Sequence, residues 1–287
     1  MPIEYRQPTA EDVSELGRIC YEAFKDIAER HGFEPDFTDL DMGRMIIGML
    51  VAGEDTYGIA AYNDGQPAGS NFVMMADDVG GIGPITVDVP QQGAGIGRRL
   101  MTDAIDYAKK NGMDKIRLLE DSFNMASLSL YASVGFDTKA PCVLMEPVPA
   151  PQKDPTVRVL TEDDLAAVDA LSRELYKVSR RNEVAEMLEG PFAAVIRERD
   201  NRVTGYYLLG IIGHGVAETE EDALSLVQQA AAADAPPQFR DVFCPLTEGS
   251  LYRKFLAAGF RAKKVMNLMA IGPYEEPEGV WMPSVVY

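Results

Sequence analysis

The sequence predicts an α/β protein (an α+β mixed sheet) made of two tandem copies of one fold, each a central mixed sheet flanked by helices. Three observations carry this prediction. Apolar segments with strand spacing alternate with amphipathic helical segments. A stretch near the middle, residues 146–155, holds four prolines in ten residues. The sequences on either side of it share landmarks. The chain of 287 residues is long enough for two cores of ordinary size.

Proline cannot donate to a strand ladder and forces its predecessor out of the helical region. The proline-dense stretch therefore reads as a linker over 149–155, between a first domain over 1–148 and a second over 156–287. The two sides begin alike: Arg6, Thr9 and Asp12 recur as Arg158, Thr161 and Asp164. In each copy the threonine can cap a helix, with an acidic residue near the positive helix end. They also end alike, with Gly135-Phe136 recurring as Gly259-Phe260. The first landmark repeats at an offset of 152 and the second at 124, so the second copy is shorter by 28 residues between them.

In the first half, a strand near 3–6 precedes helices over 11–30 and 40–50. Strands follow near 57–62, 70–75 and 83–89. Ile96, Leu100, Met101, Ala104, Ile105 and Ala108 fall on one face of a helix over 96–110. A strand over 115–119 and a helix over 124–134 come next; Gly135 can terminate that helix. Closing strands are expected near 142–145 and, in the second copy, 265–271. The apolar residues after Gly279 suggest a docked tail.

Apolar residues make up 46% and charged residues 25%, the balance of a soluble globular protein. No apolar run approaches membrane-span length, and residues 1–9 lack the pattern of a secretory signal, so a cytoplasmic protein without membrane contact is expected. Cys20, Cys142 and Cys244 lie far apart and read as buried thiols, and two histidines make a histidine metal site unexpected. The net charge of −18 argues against nucleic acid as the main partner. Yet of twelve Lys and Arg before Pro149, six lie between Arg98 and Arg117, a local cluster in an acidic chain.

That cluster follows a glycine-rich turn. Thr86, Val87, Asp88 and Val89 form a strand end leading into Gln92, Gly93, Ala94, Gly95, Ile96, Gly97 and Arg98. Glycines let the backbone approach a ligand, and a helix start offers free amides and a favourable dipole to an anion. This is a pyrophosphate cradle on physical grounds. On the turn alone, ordinary strand–helix packing remains the alternative. No Gly-Lys-Ser/Thr follows, so it is not a Walker loop. Further on, Asn124 opens a helix that carries Ser127 and Tyr131 and runs into Gly135-Phe136.

Together the two segments resemble the GNAT superfamily of acyl-CoA N-acyltransferases. Gln92 to Gly97 matches its Gln/Arg-x-x-Gly-x-Gly/Ala signature, and Asn124 to Phe136 its Asn…Tyr-x-x-x-Gly-Phe signature. The resemblance is specific over residues 1–148 and topological over 156–272. It implies acetyl-CoA as co-substrate, no metal, and direct attack of an amine on the thioester. It implies that Thr86, Val87, Asp88 and Val89 face the pantetheine arm, with an amide, that of Val87, supporting the oxyanion. Gln92 to Arg98 would hold the pyrophosphate. Asn124, with Ser127, would contact the pantetheine. Tyr131 would protonate the departing thiolate. An amine must lose a proton before attack; Glu120, Asp88, Glu22 and His31 are the candidate bases.

The second half lacks both signatures. Phe255 stands opposite Tyr131, Glu248 opposite Asn124, and the helix equivalent to 96–110 begins Thr219-Glu220-Glu221-Asp222. Those acids suit a helix start but would repel a pyrophosphate. The reading is a degenerate second copy in a monomer or homodimer, with an unidentified small-molecule amine as acceptor. The alternatives are a non-enzymatic acyl-CoA sensor and a protein N-acetyltransferase.

Overall fold

The computed structural model describes residues 3–190, 193–210, 213–233, 235–236, 239–247 and 249–287. By internal contacts the chain forms two compact units. The first comprises Met1–Leu118, Phe123–Asp137 and Ala270–Gly272; the second comprises Leu119–Ser122, Thr138–Met269 and Pro273–Tyr287. The proline-rich residues 149–155 thus lie inside the second unit.

The first unit starts with β1 (Glu4–Arg6), a single 3-10 turn at Ala10–Asp12, α1 (Val13–Arg30) and α2 (Leu40–Ala52). Then come β2 (Thr56–Asn63), β3 (Gln66–Met74), β4 (Gly80–Ile82), β5 (Thr86–Val87) and α3 (Ile96–Lys110). Next are β6 (Ile116–Asp121), whose first three residues belong here, and α4 (Met125–Ser133). The strands run β1-β2-β3-β4-β6, with β5 also on β3. All pairings are antiparallel except β4 with β6, so the sheet is mixed. One strand was expected over 83–89; instead β4 and β5 flank residues 83–85, where Pro84 has no amide to donate to a ladder.

Strand alternation divides the core between the two sheet faces. Ala60 and Tyr62 of β2 pack with Leu16, Ile19 and Cys20 of α1 and Ile47 of α2. Ile59 and Ala61 pack with Ile96 and Leu100 of α3. The apolar face read for residues 96–110 is the one that is buried.

The second unit contains β7 (Asp137–Glu146, all but its first residue), β8 (Val157–Val159), a 3-10 turn at Glu162–Asp164, α5 (Leu165–Leu175) and α6 (Arg181–Leu188). There follow β9 (Ala194–Arg199), β10 (Arg202–Leu208), β11 (Gly215–Ala217), α7 (Glu220–Ala231) and β12 (Val242–Pro245). The last elements are α8 (Gly249–Ala257), β13 (Arg261–Ile271) and β14 (Val280–Met282). One strand set runs β14-β11-β10-β9-β8, and another runs β13-β7-β12.

The internal repeat is visible atom by atom. Arg6 grips Asp12 at 3.0 and 3.2 Å, and Arg158 grips Asp164 at 2.8 and 2.7 Å. The Thr9 amide donates to Asp12 at 2.8 Å, and the Thr161 amide to Asp164 at 2.9 Å. Both copies therefore open on the same capping box. Helices α4 and α8 have nine residues each, and Tyr131 against Phe136 is matched by Phe255 stacked on Phe260. All three cysteines are buried and unpaired. Among the described residues, no helix is long and apolar enough to cross a membrane.

Candidate functional site

Strand β5 is held by β3 alone. Val87 faces Gly69, Thr86 faces Ser70, and the Asp88 amide donates to the Ala68 carbonyl at 2.9 Å. Hydrogen-bonding groups alternate sides along an antiparallel strand, so the amide and carbonyl of Val87 point away from β3. No strand pairs with that outer edge among the described residues. The Gln92 side-chain amide reaches back to it, donating to the Val87 carbonyl at 3.2 Å. Val89 begins a one-turn 3-10 helix, Val89–Gln91, that leads from the strand into the glycine turn.

In that turn Gly93 and Gly95 have φ of 81° and 85°, in the left-handed region. A Cβ at either would meet nothing within 4 Å. The backbone conformation, not crowding, calls for glycine here. Gly95 is the N-cap of α3 and offers no side-chain cap, so the first amides of the helix, from Ile96 through Arg98, lack intrahelical partners. Gly93, Ala94 and Gly95 are exposed. Open space, uncapped amides and left-handed glycines together form a concavity that suits a phosphate oxyanion.

The two arginines beside it differ. Arg99 is engaged by Asp103 at 2.9 Å. Arg98 makes no ion pair among the described residues; it donates to Ser133 Oγ at 2.8 Å, at the far end of α4. Gly97 joins the parts: a Cβ there would lie 3.5 Å from Leu130 Cδ2 and 3.7 Å from Val87 Cγ2. The strand edge, the glycine turn and the Asn124 helix therefore meet at one point.

Asn124 is the N-cap of α4, its Oδ1 accepting from the Ser127 amide at 3.2 Å. One side-chain group is thus committed to the helix, which leaves Nδ2 as the donor available to a ligand. Tyr131 lies one turn beyond Ser127 and is 6% exposed, its ring edge-on to Phe136 at 6.3 Å.

The candidate bases separate clearly. Arg18 binds Glu15 at 2.6 Å, Glu22, and Asp88 at 3.4 Å, so both Glu22 and Asp88 are tied to one guanidinium. His31 caps α1, its Nδ1 2.8 Å from the Ile27 carbonyl, and packs on Phe123, which in turn stacks on Phe33 at 4.4 Å. Glu120, at the end of β6 and in the second unit, is 4% exposed. Its Oε1 accepts from Asn267 Nδ2 at 2.7 Å, while Oε2 has no partner. Burial pushes its carboxyl up to about 7, against the opposing pull of Asn267. Asn267 lies too far along the sequence for any local signal to have joined the two.

In the second unit Phe255 is fully buried and its helix start is acidic, while Glu248 lies outside the described residues. Among the described residues no group of three or more His, Cys, Asp or Glu is arranged to hold a metal.

Residues 15–136 match the family described as "Acetyltransferase (GNAT) family". Two curated relatives are similar over part of the chain. A mycothiol acetyltransferase of Renibacterium salmoninarum is 36% identical over 93 residues, covering 31% of this chain and 26% of the relative. Another, of Kocuria rhizophila, is 36% identical over 59 residues, covering 21% of this chain and 20% of the relative. These matches span about a quarter or less of the relatives' own length. Solved structures are similar over nearly the whole chain. A Pyrococcus horikoshii protein described as an acetyltransferase superposes with a TM-score of 0.78 at 17% identity, covering 99% of this chain and 94% of that one. A GCN5-related N-acetyltransferase of Sphaerobacter thermophilus gives 0.60 at 16% identity, covering 97% and 98%. With its signature matched over residues 15–136 and its tandem fold shared with these proteins, the chain belongs to the GNAT acetyltransferase superfamily.

Proposed function

We propose that the first unit binds acetyl-CoA and that the protein transfers the acetyl group to an amine by direct attack. The supporting observation is the convergence at Gly97 of three pieces: the outward edge of Val87, the uncapped start of α3, and the Asn124 helix. Bound acetyl-CoA would supply a thioester acyl group. The Val87 amide would donate to its carbonyl oxygen. The backbone from Gly93 to Arg98 would hold the pyrophosphate, with the Arg98 guanidinium beside it. Asn124 Nδ2 would donate to a pantetheine carbonyl, with Ser127 one turn on.

The chemistry needs one proton removed and one delivered. A tyrosine hydroxyl keeps its proton at neutral pH and can yield it to a departing thiolate, the role of Tyr131. The attacking ammonium must lose a proton, and a carboxyl near 7 suits that exchange. Glu120 has that property and lies four residues before Asn124 on the same chain segment. The proposed acceptor is a small-molecule amine. The mycothiol acetyltransferases make their own acceptor the first member of any test panel.

Calorimetric titration with acetyl-CoA, followed by an amine panel read by thiol release, tests this reading. One acetyl-CoA per chain and release with at least one amine are expected. Absence of binding would overturn the proposal. Tight binding without turnover on any amine or peptide amine would favour a sensor.

A further inference from the structure

The two units treat the equivalent strand edge in opposite ways. In the second unit, β11 pairs with β10 in the register that β5 makes with β3. Ala217 faces Gly205, as Val87 faces Gly69, and the Glu218 amide donates to the Thr204 carbonyl at 2.9 Å, as Asp88 does to Ala68. Ala217 is therefore the counterpart of Val87, and its amide and carbonyl also point outward. On the first unit's edge nothing is paired. On the second unit's edge lies β14, antiparallel, with Val280 opposite Ala217 and Met282 opposite Gly215. Val280 and Met282 join the core that contains Val242 and Cys244 of β12. Trp281 turns to the other face and stacks on Tyr176 at 5.5 Å.

The segment beyond β14 has a polar seat of its own. Arg180 is fully buried. Its Nη1 donates to the Tyr287 main-chain oxygen at 2.8 Å and its Nη2 to Ser284 Oγ at 3.1 Å. Glu183 neutralises it through contacts of 2.6 and 2.7 Å. The Tyr287 ring lies 4.0 Å from the guanidinium, and its hydroxyl donates to Glu183 at 3.3 Å. A wholly buried guanidinium is costly unless every partner is present, and residues 284–287 supply two of its hydrogen bonds.

We propose that the second unit is a strand-edge peptide-binding cleft, derived from an acyl-CoA cleft and occupied in cis by residues 280–287. Its ligand is an extended peptide with small or apolar residues at alternate positions for the β11 edge. An aromatic residue and a main-chain oxygen on Arg180 complete the fit. The acyl-CoA features are gone around it: Thr219 alone separates Glu218 from α7, where the first unit has residues 89–95, and α7 opens on three acids. The kinship of the two clefts rests on the reading of β5 given above; the peptide site itself does not.

The test introduces a protease site between Glu275 and Glu276, in the exposed connection before β14, and cleaves the folded full-length protein. A fluorescein-labelled peptide of residues 276–287 is then added, and anisotropy and mass spectrometry follow exchange. Saturable exchange is expected while the far-UV signal stays native. A peptide with Val280→Pro should bind more than about tenfold more weakly, because proline removes the ladder donor facing Ala217. A scrambled peptide should not bind. Three results would overturn the proposal: no exchange up to the melting temperature, equal binding of the scrambled peptide, or unfolding of the body once the segment leaves. Each would make β14 an integral strand. The acetyl-CoA melting shift of the same nicked sample reports separately on the first unit, so its loss in the uncut protein would count against the acyl-CoA reading alone.

Discussion

Replacing Glu120 by Gln keeps the shape and the acceptor for Asn267 but removes the titration. The carboxyl moves from an ordinary value of 4.5 to about 7 because it is buried, with Asp121 adding to the rise and Asn267 opposing it. At about 1.4 kcal/mol per unit, the neutral form is favoured in the fold by about 3 kcal/mol. A raised carboxyl makes the folded state hold the proton that the unfolded state has released. Stability is therefore unaffected below the unfolded value, falls as pH rises through the interval up to about 7, and stays low above it. Glu120→Gln should match the wild type near pH 4 and exceed it at pH 8, by an amount approaching that figure. Urea midpoints measured at both pH values check this, and equal differences at the two would refute the burial argument. For activity the sign reverses. A base must be deprotonated, so the wild-type rate should climb as pH passes 7, and the ratio of wild type to Glu120→Gln should climb with it. A variant with wild-type kcat and an unchanged pH profile would remove Glu120 from the chemistry.

Other outcomes follow from the same geometry. Tyr131→Phe should retain acetyl-CoA binding by calorimetry while kcat drops ~10²–10⁴-fold, the usual worth of general acid catalysis; near-normal kcat would return Tyr131 to the core. Gly95→Asp places a carboxylate where the anion would sit, so the rise in Tm on adding acetyl-CoA should vanish while the circular dichroism stays native. Asp164, held down to about 2 first by Arg158 and then by the Thr161 amide, contributes stability that is present above its ordinary value of 3.8 and lost as pH falls towards 2. Asp164→Asn should therefore cost stability at pH 6, about 1 to 2 kcal/mol on the scale of lost caps, and little at pH 2; acid and neutral melting curves decide it.

What could be read in advance was local. The capping boxes at Thr9 and Thr161 depend on residues three apart, and the α3 face on helical period, so both stood in the sequence. The offset read from Gly135 and Gly259 carries α4 onto α8 residue for residue. The break at 83–85 was not legible, because Pro84 sits among residues with ordinary strand character. Among the candidate bases, four looked alike on paper. Only burial and partners distinguish Glu120 from Glu22 and Asp88, which share Arg18. Asn267 stands 147 residues from Glu120, beyond any pattern of spacing. The strand character of residues 280–282 was hidden for the same reason: it exists only opposite β11.

The interleaving of the two units bears on how the chain emerges from the ribosome. Because Ala270–Gly272 count among the first unit's residues, that unit is incomplete until nearly the whole protein has been synthesised. Residues 138–269 must be made in between, a delay on the order of ten seconds at usual elongation rates. During that interval a nascent first unit lacks part of its contacts. Such a chain gains from folding late and as a whole, and its termini, not the proline-rich stretch, are where a fusion partner interferes least with assembly.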